Sequence, residues 1–454
     1  MQQATLARQL AQAVAGIADH DLPALARERA RMSLASTIAS AAVGQGIASA
    51  RIIRELEVAD GGAAQATIWF AGGKLPLARA ARVNAVASDA AASDDSDLRS
   101  IAHIGTIVST VSLALAEHLG SSGLEVEGAM VLGYEVAGRI DESLTPGRMQ
   151  RGFHGSVSTV FGAAVAAARL LKLDVERTTH TIALAATSIG GMAVAADHSW
   201  AREYHAGLSA STGLQAALAA QRGFTGDDTI LETPRGFLSA MNGQAVEEIM
   251  RDFGASWDIV TDMAVKLMPG AHPFHATAEA AAQAAVAGNV KPEDIDSVLV
   301  SAAVQWTNFG GKPHPRNLVE AAHSLVYFVA AAIVDRGFGW AAMTEAKMAD
   351  PVVAALQGKV TFDPTPPPLP DRFVHRHGGT VTIRMKDGRE FSHTCKAPRG
   401  SGPRGIEWAD IEAKYRRLMP AGGLPANRVD QLWRQLVDLD GLPQAGAVAR
   451  LLAP

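Results

Sequence analysis

RGFHGSVSTVFGAAVAAARLLKLD, residues 151 to 174, places His154 in a Gly/Ser-rich turn directly ahead of a long run of small residues. Gly162, Ala163, Ala164, Ala166, Ala167 and Ala168 let neighbouring helices approach closely, so the run predicts a buried helix and, around it, a helical protein. The same order of residues sets one imidazole at a helix entrance. Unpaired N–H groups and the positive dipole end attract anions such as carboxylates there. His154 is therefore a candidate to act on a bound acid, whereas a lone histidine ordinarily does no more than hydrogen-bond locally.

Composition points the same way. A chain of 454 residues exceeds one small core and suggests two or three domains. Its apolar share is dominated by alanine, which favours packed helices over sheets. A formal net charge of -5 and the lack of a Lys/Arg run interleaved with aromatics exclude a nucleic-acid partner. The single cysteine, Cys395, rules out an intramolecular disulfide and fits a reducing compartment, which predicts a cytoplasmic location. The first thirty residues include acids and no signal-type apolar block, and no run reaches 18 apolar residues. The expectation is an untargeted chain with no membrane partner.

From Leu6 to Val43 apolar residues recur at helical spacing around a break at Leu22-Pro23, which predicts two helices. Residues 62–76 read as a connector with a short strand-like run. The GGK at 72–74 is no phosphate loop, since the required first glycine is Ile68, and at the GGK of 310–312 it is Trp306. Helical patterns continue over 77–92, 107–119, 126–144 and 175–189. After Lys266 the texture changes to β-branched alternation at 297–306, 359–363, 380–385 and 389–395, with Asp387-Gly388 as a hairpin turn. PTPPPLP at 364–370 is a stiff connector. The predicted architecture is mainly α: a large all-helical domain built from both chain ends, 1–265 with 396–454 returning to it, and an inserted smaller α+β domain over 266–395.

Five clusters could carry chemistry: Asp94, Asp95, Ser96 and Asp97 with His103; His154; Arg202 with His205; Lys266 with His272 and His275; and the loop Pro398 to Gly402. The acidic turn is not spaced as a calcium loop, and the histidines make no HExxH, so no metal is expected. No G-x-S-x-G nucleophile elbow exists, and nothing near Cys395 lowers a thiol pKa. What remains suits an acid held by cations while an imidazole or lysine moves a proton next to a carboxylate.

The clusters in their order resemble the MmgE/PrpD family, over nearly the whole chain. The resemblance rests on NAVASDAAASDDSDLRSIAH (84–103), GYEVAGRI (133–140), GFHGSVSTVFGAAVAAARLLKLD (152–174) and REYHAGLSASTGLQAALAAQRGFTGDDTILETPRGFL (202–238). Lys266 with Pro269 and His275, HSLVYFVAAAIV (323–334), PRGSGP (398–403) and Lys414-Tyr415-Arg416 complete it. It implies a cofactor-independent active site between a helical domain and a lid, a homodimer, and a small carboxylic acid as substrate. The family's site histidines fall on His103 and His154, and its lid lysine on Lys266. Two positions depart. The family's Ala-His followed by Asp-Phe-Asp-Asp-Thr is here Asp89 followed by Ala92, Ser93, Asp94, Asp95 and Ser96, and its Lys-x-x-His has Arg202 for lysine. Arginine cannot act as a general acid or base near neutral pH, but it can clamp a carboxylate bidentately. The resemblance predicts a lyase, dehydratase or decarboxylase, with His103, His154, Lys266, Asp94 and Asp95 catalytic and Arg202, His205, Ser96 and His275 binding substrate. An isomerase or epimerase of a dicarboxylate, and a non-catalytic acid-binding protein, stand as alternatives.

Overall fold

The computed structural model describes every residue except 1–3, 100, 146, 189, 195–198, 244–245, 305–313 and 368–376. The GGK of 310–312, the last two residues of 297–306 and the end of the proline run at 368–370 thus lie outside the described residues. The chain divides into two units, one of Met1–Ala196, Trp200–Val265 and Trp408–Pro454, the other of Asp197–Ser199 and Lys266–Glu407.

The first unit is helical. Its main elements are α1 (Leu6–Gly16), α2 (Ala24–Gly44), α3 (Ala48–Asp60), α4 (Leu77–Ala90), α5 (Ile104–Leu119), α6 (Gly123–Leu144), α7 (Gly147–Gln150), α8 (Ser156–Leu170), α9 (Val175–Ala186) and α10 (Ala201–Gln221). Ser122 and Glu125 close a capping box at the start of α6, satisfying two N–H groups that the helix itself cannot. Small residues then set the helix spacing. A Cβ on Gly133 of α6 would stand 2.7 Å from the carbonyl oxygen of Gly162 in α8, and one on Gly213 of α10 would stand 2.5 Å from that of Val160. α8 is consequently buried along nearly its whole length, as its alanines predict.

Two short ladders interrupt the helices. β1 (Ala66–Thr67) pairs with β2 (Lys74–Leu75), and β3 (Asp95–Asp97) pairs antiparallel with β4 (Met263–Val265). The second ladder fixes the acidic turn. Behind it the buried Arg99 sits among Asp97, Asp258, Asp262 and Glu142. The described residues include no helix long and apolar enough to cross a membrane.

In the second unit β5 (Ile295–Ala302) pairs in parallel with β6 (Val360–Phe362) and antiparallel with β7 (Gly379–Met385), which pairs antiparallel with β8 (Glu390–Cys395). Val381, Ile383 and Met385 alternate inward and share a core with the alanines of α11 (His275–Ala287) and with Tyr327 and Phe328 of α12 (Leu325–Asp335). Gly388 supplies the positive φ of 87° that the β7–β8 turn requires. The segment 396–407 stays with this unit because Arg404 donates to Glu279 of α11 at 2.7 Å and to the Ala397 carbonyl at 3.1 Å. The chain rejoins the helical unit at α13 (Trp408–Leu418) and α14 (Ala426–Val437). There Lys414 donates to Ser36 of α2 at 2.6 Å and to the backbone oxygen of Ser93, tying the acidic turn to the C-terminal segment.

Candidate active site

Four elements of the helical unit deliver side chains to one small cavity. Asp89 comes from the last turn of α4, His103 from the residue before α5, His154 and Ser156 from the start of α8, and Arg202 from the start of α10. The cavity measures about 10 Å³, space for roughly one water. Ile107 and Ala206 give it an apolar wall and Thr159 a hydroxyl.

His103 occupies the N-cap of α5 without capping it. Its Nδ1 lies instead 2.6 Å from Asp94 Oδ2, which also accepts from the Thr106 hydroxyl at 3.0 Å. A carboxylate only accepts, so Nδ1 carries the hydrogen and Nε2 keeps its lone pair. His154 has the complementary arrangement. Its Nδ1 accepts the backbone N–H of Ser156 at 3.3 Å, capping an orphan donor of α8, which leaves the hydrogen of the neutral ring on Nε2. The imidazole itself thus takes up one of the helix-end donors that the sequence reading assigned to an anion. Burial pushes the His154 pKa well below the usual histidine value, helped by the positive surroundings of His103, Arg148, His205 and Arg202. The His103 and His154 rings stack at 6.3 Å, and His205 follows at 5.9 Å from His154. Burial lowers the His205 pKa as well, against the opposing charge of Asp89.

Arg202 already holds a carboxylate of the protein itself. Its Nε donates to Asp89 Oδ2 at 3.0 Å and its Nη2 to the Asp89 backbone oxygen at 2.7 Å. The guanidinium thereby caps the C-terminus of α4, where a carboxylate would otherwise oppose the helix dipole. The neighbouring Glu203 is buried, and burial raises its pKa to about 7.

The other predicted residues are not among the described lining of this cavity. Asp95 accepts from Ser33 at 3.3 Å, and Ser96 is buried in the β3–β4 ladder; neither lines the cavity. Asp97 accepts from the Arg99 backbone N–H, and burial raises its pKa to about 7. Lys266 opens the second unit and is buried, as are His272 and His275, whose rings lie 4.6 Å apart with Phe328 stacked on His275 at 6.1 Å. In the loop 398–402 the Ser401 hydroxyl donates to the Pro398 carbonyl at 2.6 Å. Cys395 is buried, and burial pushes its pKa up to about 11, so no thiolate is on hand near neutral pH.

Sequence reasoning placed no role on Asp89, Thr106 or Thr159. A signal for Asp89 did exist: an aspartate in the last turn of a helix is electrostatically misplaced and calls for a cation. Asp89, Asp94 and His103 also each offer one ligand atom within 4.8 Å of the others, so among the described residues these are the ones that could hold a metal ion. Two features oppose that use, because His103 Nδ1 carries a hydrogen toward Asp94 and Arg202 already neutralises Asp89.

A helical unit with an inserted sheet unit, and two histidines of opposite tautomer lining one cavity with Asp89 and Arg202, define the class. The chain belongs to the MmgE/PrpD family: the N-terminal domain of that family matches residues 8–250 and the C-terminal domain residues 268–438. Membership carries the general function of lyase or isomerase chemistry on a small dicarboxylate. Among its relatives, human cis-aconitate decarboxylase is 28% identical over 393 residues, covering 84% of this chain and 80% of that protein. The cis-aconitate decarboxylase-like protein oryM of Aspergillus oryzae is 29% identical over 158 residues, 32% of each chain.

Proposed function

We propose that the protein is a lyase acting on a small carboxylic acid by proton transfer at the carbon beside a carboxylate, with His103 as the base. The observation that carries this reading is the pairing of tautomers: His103, whose Nε2 keeps its lone pair, and a neutral His154, whose hydrogen is on Nε2, line one cavity. Asp94 orients His103 and stabilises the imidazolium formed when Nε2 takes the carbon's proton. The electron pair left behind moves into the adjacent carboxylate. His154, held neutral, donates a hydrogen bond to that oxygen, since a neutral imidazole serves better as an electrostatic stabiliser than as a proton source. In a dehydration the proton on His103 then goes to the leaving hydroxyl, giving water and an alkene. In a decarboxylation the carbon–carboxylate bond breaks instead, and His103 in its protonated form delivers a proton to the carbon. Lys266, matching the family's lysine, is assigned to a substrate carboxylate.

The isomerase reading shares the first step and differs only in returning the proton to the opposite face of the carbon. Incubating candidate acids in D₂O separates them. A lyase gives a change of mass and new ultraviolet absorbance, whereas deuterium wash-in with inversion and an unchanged formula overturns the lyase reading. His103→Ala, His154→Ala and Lys266→Ala should each lower turnover at least about 10²-fold with the parent's melting temperature nearly kept. Full activity in any of them removes that residue from the mechanism.

A further inference from the structure

Asp89 is 1% exposed, and its two carboxylate oxygens have different surroundings. Oδ2 receives the Arg202 Nε hydrogen, while Oδ1 is buried with no hydrogen-bond partner among the described residues. His103 Nδ1 lies 3.4 Å from Oδ1, but its hydrogen is committed to Asp94 at 2.6 Å. A buried carboxylate oxygen left without a donor is costly, so this atom is poised to accept one. Charge leads to the same place. Of the described residues lining the cavity Arg202 is the only permanent cation, and Asp89 already engages it; His154 is neutral. A further carboxylate entering beside Asp89 would meet a like charge with no unmatched cation in this lining, whereas an ammonium or hydroxyl group would complete it.

We propose that Asp89 is a specificity-determining residue whose Oδ1 accepts an N–H or O–H from the bound acid, so that the site selects an amino- or hydroxy-dicarboxylate over one lacking such a donor and over a tricarboxylate. The inference rests on the carboxylic-acid reading above and narrows it. A divalent cation between Asp89, Asp94 and His103 is the competing occupant.

The test is calorimetric binding to the full chain of succinate, malate and aspartate (both enantiomers of each chiral acid), citrate, cis-aconitate and, separately, Mg²⁺ and Mn²⁺. Malate or aspartate should bind at least about 10-fold more tightly than succinate, the effect of one hydrogen bond to a charged group. A preference for aspartate identifies an ammonium, and one for malate a hydroxyl. Asp89→Asn preserves the shape and the acceptor for Arg202, and should shrink the preference to within about 3-fold while moving succinate little. If that variant does not fold, the ratio in the parent decides alone. Equal binding of succinate, tighter binding of citrate or cis-aconitate, or Mn²⁺ binding that Asp89→Asn abolishes each overturns the inference. Equal binding with proton exchange still dependent on His154 sinks only the role of Asp89. Failure of every acid to bind sinks the carboxylic-acid reading as well.

Discussion

At the scale of single residues the chemistry turns on which ring nitrogen carries hydrogen. Asp94 decides this for His103, so Asp94→Asn, which permits the other tautomer, should lower kcat by at least about 10²-fold without loss of fold. An unchanged kcat, measured beside the melting curve, would leave Asp94 a purely structural acceptor. For His154 the sign is fixed by a folded pKa below the unfolded one, near 6.5. Above pH 6.5 neither state binds the proton and stability is unaffected. As pH falls below 6.5 the unfolded chain takes up a proton that the folded ring refuses, and stability is lost. Between pH 6.5 and 5 the parent should therefore lose more stability than His154→Gln does. Histidine NMR should show no protonation of the folded ring at pH 6.5 or above.

At the scale of elements, glycine contacts position the site. α8 carries His154 at its start and α10 carries Arg202 and His205, and Gly213 allows them to cross with Ala163 Cβ 2.5 Å from where its own Cβ would lie. The Val160 carbonyl and the Ala164 amide are backbone atoms that cannot swing aside. Gly213→Ala should thus cost about 1–3 kcal/mol in denaturant unfolding and should reduce activity as the two helices separate. Gly16, at the end of α1, has nothing within 4 Å of an added Cβ. Gly16→Ala should be neutral or stabilising by no more than ~1 kcal/mol. Equal effects at both positions would discredit close packing as the reason for Gly213.

At the scale of the helical unit, both ends of the chain meet through buried charge. Glu127 of α6 is fully buried 3.6 Å from Arg31 and 3.9 Å from Arg27 of α2, and Arg31 also reaches Asp440 near the C-terminus at 2.7 Å. Burial outweighs the two arginines and raises the Glu127 pKa to about 7, against about 4.3 for an unperturbed glutamate. A raised carboxyl pKa favours the folded state below the unfolded value, and this contribution disappears as pH rises through 7. Glu127→Gln cannot ionise, so its stability relative to the parent should improve between pH 5 and pH 8 by on the order of 1–3 kcal/mol. A difference independent of pH would mean that Glu127 is ionised in the fold throughout.

The alanine and glycine pattern of 151–174 determined a buried helix, because close helix approach depends on side-chain size alone, and size is written in the sequence. Alternation of β-branched residues likewise located β5, β7 and β8, since strand periodicity is local, and the position of His154 ahead of α8 followed from the turn chemistry. The partners of the charged groups were not legible. Asp94 and Asp95 are adjacent and identical in type, yet one, in the bend before β3, orients His103 and the other, the first residue of β3, accepts from Ser33. Arg202 reads as a clamp for a ligand, and in the fold its guanidinium also pairs with Asp89, 113 positions away in the chain. Spacing along a sequence carries no information about such a meeting; only the crossing of α4 and α10 brings the carboxylate and the guanidinium together, and burial there makes leaving either unpaired costly.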